Sequence, residues 1–202
     1  MEQEVVDADE VAATRKAALW SAIAGVGHLL VVAVGAVAYP YLFDLLSAIA
    51  YGFLLPAIAV LHVRHAAVRQ SGAILATISG AAVATVGLAG SANVDVRPAS
   101  LFVLGMWWWT IGKMWVQTGV MPRVFGRVTA ALGLAAFMLV PIEAFAASFT
   151  TVMPRSLADA LSQPYFSAAH VMLGVWLFVI AAIFARGPTR GGSSIAARSS
   201  AP

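Results

Sequence analysis

The chain has 202 residues, of which 61% are hydrophobic and only 10% are charged, and its formal net charge is +3. In soluble domains about a quarter of all residues are charged, so this composition excludes an ordinary water-soluble domain. Cysteine is absent, which excludes a disulfide framework, a thiolate metal site and a cysteine nucleophile. The charges flank apolar blocks instead of forming a basic patch. We therefore expect the lipid bilayer as a partner, and not nucleic acid.

Three segments follow from where the apolar residues begin and end. Residues 1–17 form an acidic N-terminal segment, and residues 187–202 have the Gly, Ser and Pro bias of a flexible tail. Residues 18–186 hold all the long apolar runs. The sequence therefore predicts one transmembrane domain of residues 18–186 between two polar ends.

The apolar runs are long enough to be membrane-spanning helices. A bilayer core about 30 Å thick needs roughly 20 apolar residues per helix. Strands of a membrane barrel would alternate apolar and polar residues, whereas these runs are apolar all round. The sequence predicts an all-α, polytopic bundle of six helices. The six predicted spans are Leu19–Ala38, Asp44–Val63, Ser71–Gly90, Pro98–Val120, Val128–Phe149 and Phe166–Arg186.

The basic residues predict the orientation of these spans. Lysine and arginine accumulate in cytoplasmic segments near the ends of membrane helices. On an alternating six-span path, only Arg97 and Arg155 fall on one side. Lys113 leans toward the other side, which holds Arg15, Lys16, Arg64, Arg69, Arg123, Arg127, Arg186, Arg190 and Arg198. We therefore predict a multi-pass protein of the plasma (bacterial inner) membrane with both termini cytoplasmic.

Glycines recur at a regular interval in the fourth span. Gly105, Gly112 and Gly119 are seven residues apart and form one stripe of a helix. Small residues on a stripe let helix backbones approach closely, which favours packing in lipid. The stripe predicts either a contact between helices of this chain or a face for a membrane-protein partner or a second copy. The third span is also rich in small residues, so we expect the third and fourth spans to form the closest contact.

The segment "GMWWWTIGKMW" places Lys113 among four tryptophans. Trp109 lies one turn before Lys113, so its ring face can pair with the ammonium. Two interpretations remain open for this lysine: an anchor at the membrane interface, or a residue that lines a cavity on the inner side. We expect the three consecutive tryptophans to fill space in the helix packing.

Polar groups in the outer half of the predicted bundle indicate a pocket. Ionisable residues inside a membrane are costly, so each is a candidate functional residue. Glu143 and His170 lie at similar predicted depths in consecutive spans, which predicts a hydrogen bond between them. Each histidine alone has a structural alternative, a neutral ring bonded to a carbonyl or hydroxyl. The candidate ligand-binding residues are His28, Tyr51, Glu143, His170 and Lys113.

The sequence predicts no cofactor and no catalytic residue. Zinc needs about three converging ligands, and no two of His28, Glu143 and His170 lie at ligand spacing on one helix. A bis-histidine haem needs two imidazoles at one depth, whereas His28 and His170 are predicted about six residues apart in depth. His62 and His65 are interpreted as interfacial. The phosphate-binding, nucleophile-elbow and HExxH motifs are all absent.

The stretch "WWWTIGKMWVQTGVMPRVFGRVTAALGLAAFML", from Trp107 to Leu139, carries a resemblance. A span with tryptophan and glycine, a short "PRxxG" turn and a second glycine-containing span follow one another. This pattern resembles six-span integral membrane families of bacteria that are classed as domains of unknown function. The resemblance implies the six-span fold and transfers no catalytic residue.

Three functional hypotheses are compatible with the sequence. The first is a non-enzymatic bundle that binds or moves a small molecule, ion or lipid through the outer polar pocket. The alternative is an accessory or assembly subunit of a membrane complex, with the glycine stripe as its interface. The third is an intramembrane metal or haem protein that uses the same polar residues.

Overall fold

The computed structural model describes the backbone of residues 2–35, 40–91, 97–150 and 155–186. Side chains are described for most of these residues, but not for 2–10, 13, 35, 40, 67, 91, 97, 143–150 and 155–167. The described chain is helical throughout, apart from short turns. Its helices are α1 (Glu2–Gly35), α2 (Pro40–Gly52), α3 (Leu54–Ser91), α4 (Arg97–Thr118), α5 (Arg123–Thr150) and α6 (Arg155–Ala185).

Five stretches of these helices are long and apolar enough to cross a membrane. They are Thr14–Val34, Tyr41–Ala66, Val68–Gly90, Arg123–Ile142 and Ala168–Ala185. The expectation of an all-helical chain with several helices long and apolar enough to span a membrane is therefore confirmed for the described residues. The fourth predicted span is absent from the five because the tryptophans and Lys113 lower its mean hydropathy. With 22 residues, α4 is nevertheless long enough to cross a bilayer core.

The second predicted span consists of α2 and the first part of α3. Pro56 has no backbone N–H, so the carbonyl of Gly52 loses its partner one turn earlier and the helix is interrupted at Phe53. Further along, Arg69 has extended backbone angles (φ −155°, ψ 85°) inside α3. This break lies at the start of the apolar stretch Val68–Gly90, just after the stretch that ends at Ala66, where the polar segment between the second and third predicted spans is found.

The closest helix contact is between α4 and α5. A methyl group added to Gly112 would lie 2.7 Å from the carbonyl oxygen of Gly126, and the backbone nitrogen of Ala130 is closer still. Gly105 and Gly133 face each other in the same way, with a distance of 3.0 Å from an added methyl to the opposite carbonyl. The expectation that the third and fourth spans form the closest contact is therefore wrong. The glycine stripe continues through the turn onto α5, so the two helices pack through matching small residues.

The face of Gly105 and Gly112 is thus filled by α5 of the same chain. Gly119, the third residue of the predicted partner face, lies in the turn after α4 with a φ of +69° and has no neighbour within 4 Å of an added methyl. A membrane partner or a second copy would have to use another surface.

An aromatic cluster joins α6 to α4 in the core. The ring of Trp176 in α6 lies 5.1 Å from that of Trp107, 5.6 Å from that of Trp108 and 6.0 Å from that of Trp115, measured between centroids. All four side chains are buried. The expectation that the tryptophans fill space in the packing holds for Trp107 and Trp108, whereas Trp109 is partly exposed.

Candidate functional site

Two buried histidines meet between the first and last helices. Nδ1 of His28 in α1 lies 2.9 Å from Nδ1 of His170 in α6, within hydrogen-bond distance. His28 is fully buried and His170 is 2% exposed. A bond between two ring nitrogens requires a proton on one and a lone pair on the other. The two imidazoles therefore share one proton across the helix contact.

Glycines set the register that brings these histidines together. Gly25 of α1 and Gly174 of α6 each lie one turn from the histidine of their own helix, and a methyl group added to either would lie 3.1 Å from the other's carbonyl oxygen. The helices run antiparallel, so this close approach aligns His28 with His170. Bulkier residues at 25 and 174 would separate the helix axes and the two rings with them.

Tyr51, near the end of α2, forms the third side of the cluster. Its ring meets that of His28 edge-on, with centroids 4.8 Å apart at 90°, and that of His170 at 5.8 Å and 74°. On its other side, the Tyr51 ring lies directly against Gly87 of α3, where any larger residue would collide with it. Tyr51 therefore holds the histidine rings in place from a third helix.

The predicted difference in depth between the two histidines is wrong. The predicted span begins at Phe166, whereas α6 begins at Arg155 and carries His170 near its middle. The contact between the two imidazoles places them at one level of the helix pair, because the packing of α1 against α6 sets the register and the ends of the apolar runs do not. Three of the predicted pocket residues, His28, Tyr51 and His170, therefore come together.

The other two predicted pocket residues are not part of this cluster. Glu143 lies in α5, but its side chain, and with it the predicted bond to His170, falls outside the described residues. The Lys113 ammonium lies over the Trp109 ring at 4.9 Å from its centroid, which confirms the predicted pairing. Lys113 lines a surface cavity between α4 and α5, whereas the histidine pair lies between α1 and α6.

A second pair of polar contacts escaped the sequence analysis. His65 is 1% exposed, so it is buried between helices of the chain, while its position at the membrane interface stays a prediction. Nδ1 of His65 donates to the Leu61 carbonyl, and Nε2 of His65 accepts the indole N–H of Trp115 at 2.7 Å. His62, which is only partly buried, bonds to the Thr77 hydroxyl at 2.8 Å. The presence of two histidines three residues apart beside a tryptophan-rich span was the available signal for such a contact.

The histidine pair differs from His65 because one of its ring nitrogens has no hydrogen-bond partner among the described residues. Nε2 of His28 is buried and has no hydrogen-bond partner within the described part of the chain. No group of three or more His, Asp or Glu side chains that could hold a metal ion occurs among the residues with described positions. The pair therefore offers two adjoining imidazoles, and at least one of them has an open ring nitrogen.

Comparisons of the chain with protein-family models, with curated proteins and with solved structures find no match. The resemblance of Trp107–Leu139 to six-span bacterial membrane families accordingly stays a prediction. Any function has to be argued from the geometry of the site itself.

Proposed function

We propose that the protein is a non-enzymatic membrane bundle that binds and moves a small ion, and that this ion is the proton. The observation that carries the proposal is the buried contact of 2.9 Å between Nδ1 of His28 and Nδ1 of His170. Ionisable residues inside a membrane bundle are costly, and they mark ion pathways and proton relays. The contact is direct, so the two nitrogens leave no gap between them for a larger ligand.

The two imidazoles can pass a proton along their shared bond. When Nε2 of His28 accepts a proton, the Nδ1 proton of His28 moves to Nδ1 of His170, and His170 then releases the proton from its own Nε2. Both rings end neutral, and the hydrogen bond between them has reversed its direction. The open Nε2 of His28 is the atom at which this relay begins. Neutral imidazole supplies both the donor and the acceptor that each step needs.

The proposal includes the six-span topology with both termini cytoplasmic in the inner membrane. The distribution of arginine supports this orientation. The length of α4, 22 residues, and its glycine-mediated packing against α5 support a membrane-spanning position for the fourth helix. In this topology the histidine pair lies within the membrane.

A second candidate is an intramembrane metal site at the same pair. Two nitrogen ligands that bind a metal at a right angle, each at about 2.0–2.1 Å, are separated by about 2.9 Å, which is the distance between the two Nδ1 atoms. Haem does not fit between them, because ligands on opposite faces of the iron, at a similar bond length, would be about 4 Å apart. The accessory-subunit alternative has less support, since α5 covers Gly105 and Gly112.

The test is proton flux into vesicles that contain the purified protein and an internal pH-sensitive dye. His170→Asn is the decisive variant, because an asparagine amide can keep the hydrogen bond to Nδ1 of His28 but has no second ring nitrogen to release a proton. We expect its flux to fall to that of protein-free vesicles while its melting temperature stays close to wild type. His62→Asn is the matched control, because His62 also bonds through Nδ1 but lies outside the pair.

Flux in His170→Asn equal to that of the wild type would show that the pair only holds α1 and α6 together. Wild-type flux no higher than that of protein-free vesicles would lead to the same conclusion. Elemental analysis separates the metal candidate. If the purified protein retains one transition metal per chain and His28→Ala loses it, the ion that the pair binds is a metal ion and not the proton.

A further inference from the structure

A basic cavity opens on the surface between α4 and α5, away from the histidine pair. Its volume is about 340 Å³, and Lys113, Gln117 and Arg127 line it. No acidic residue is among its described lining residues. Arg69 donates to the side-chain oxygen of Gln117, which brings a third cation next to a lining residue and leaves the amide N–H groups of Gln117 as donors. The cavity therefore presents positive charge and hydrogen-bond donors to an anion.

The rest of the cavity wall is apolar. Val116 and Ala130 lie beside the cations, and the partly exposed ring of Trp109 closes one side. The Lys113 ammonium rests on that ring, because lysine side chains on a helix lean toward its N-terminus. The ammonium therefore points toward the middle of α4, next to an apolar surface against which an acyl chain can pack. A soluble anion has no apolar part that could pack against this wall.

In the proposed six-span topology, the two cations lie at the boundary between headgroups and hydrocarbon. Lys113 lies five residues before the end of α4, and Arg127 lies four residues after the start of α5. At helical rise both are roughly 6–8 Å from the turn that joins the helices. The arginine distribution predicts that this turn faces the cytoplasm, where the leaflet is rich in anionic lipid.

We infer that this cavity binds the phosphate headgroup of an anionic phospholipid, with Lys113 and Arg127 as its ligands and the apolar wall against its acyl chain. Basic pockets between membrane helices on the cytoplasmic side are a general means of binding such headgroups. The site is independent of the proton relay, because it shares no residue with the histidine pair.

The experiment measures lipid binding to the purified protein in mild detergent, by native mass spectrometry and by the rise in melting temperature. The probes are phosphatidylglycerol, phosphatidylcholine and inorganic phosphate. We expect phosphatidylglycerol to bind the wild type best, and its affinity to fall roughly 30-fold in Lys113→Gln/Arg127→Gln, since each cation near the surface contributes about 1 kcal/mol. The matched control is Lys16→Gln/Arg186→Gln, which removes one exposed lysine and one exposed arginine elsewhere.

Equal affinity of the double variant and the control for phosphatidylglycerol would overturn the inference. So would equal binding of phosphatidylcholine, or full displacement of the lipid by inorganic phosphate, which would indicate a site for a soluble anion. Lys113 and Arg127 are both exposed, so the variants are expected to fold. If the double variant does not fold, Lys113→Gln and Arg127→Gln are tested singly, and each is expected to lower the affinity about 5-fold.

Discussion

Trp115 of α4 donates its indole N–H to Nε2 of His65 in α3, across 2.7 Å in the buried core. The other ring nitrogen of His65 donates to the Leu61 carbonyl one turn earlier. Both nitrogens of His65 are therefore bonded, and the ring is fixed as the neutral tautomer with its proton on Nδ1. This arrangement suits a structural link between α3 and α4, in contrast to the His28–His170 pair.

The first prediction is that loss of the Trp115 N–H destabilises the bundle. Trp115→Phe removes the donor and leaves Nε2 of His65 buried without a partner. Trp108→Phe is the control, because the buried indole nitrogen of Trp108 has no partner in the described part of the chain. We expect Trp115→Phe to lower the free energy of unfolding by about 1–2 kcal/mol more than Trp108→Phe does. Unfolding by denaturing detergent measures this difference, and equal losses would mean that the bond contributes nothing.

The second prediction concerns the contact between α4 and α5. Gly112→Ala would push a methyl group into the backbone of Gly126 and Ala130, and backbone atoms cannot move aside as a flexible side chain can. We expect a loss of about 2–3 kcal/mol in the free energy of unfolding. Gly52→Ala is the matched control in a position with no atom within 4 Å, and it is expected to be neutral or to stabilise by up to about 1 kcal/mol. A tolerated Gly112→Ala would show that the helices pack more loosely.

Much of the architecture could be predicted because bilayer thickness relates helix length directly to the length of an apolar run. The breaks at Phe53 and Arg69 also have local signals, a proline in the first case and a polar segment in the second. The fourth helix is less obvious to a hydropathy scale. Its tryptophans lower the mean hydropathy, although three of its four, Trp107, Trp108 and Trp115, are buried.

The partners of each side chain could not be predicted, because contacts between helices depend on register and not on composition. The middles of the apolar runs predict different depths for His28 and His170, whereas the packing of α1 against α6 brings their rings into contact. In the same way, the glycines at 105 and 112 predicted a close contact without indicating that α5 fills it. Small residues indicate that another helix can approach closely, but only the fold shows which helix does so.

The third prediction tests the link between α5 and α6. Trp176 donates its indole N–H to the Thr129 hydroxyl at 2.9 Å, in a buried contact. A double-mutant cycle with Trp176→Phe and Thr129→Val should give a coupling free energy of about 0.5–1.5 kcal/mol, the range for hydrogen bonds in membrane bundles. A coupling near zero would mean that the two residues act independently and that aromatic packing alone holds Trp176.

The fourth prediction decides whether α4 crosses the membrane. The chain has no cysteine, so a single introduced cysteine can be labelled without background. Ala99 and Val124 are both exposed and lie at opposite ends of α4. Ala99→Cys marks the start of α4, and Val124→Cys marks the beginning of α5, just after the turn that follows α4. We expect an impermeant maleimide added to intact right-side-out vesicles to label residue 99, and to label residue 124 only after the membrane is opened.

Tyr41→Cys provides the control for accessibility from outside, because Tyr41 is 90% exposed and precedes the second span on the predicted outer side. If residues 99 and 124 are labelled from the same side, α4 does not span, and the positions of all later helices reverse relative to the membrane. The basic cavity around Lys113 and Arg127 would then no longer face cytoplasmic lipid. Labelling on opposite sides requires α4 to cross the bilayer, and the burial of Trp107, Trp108 and Trp115 within the chain is compatible with that position.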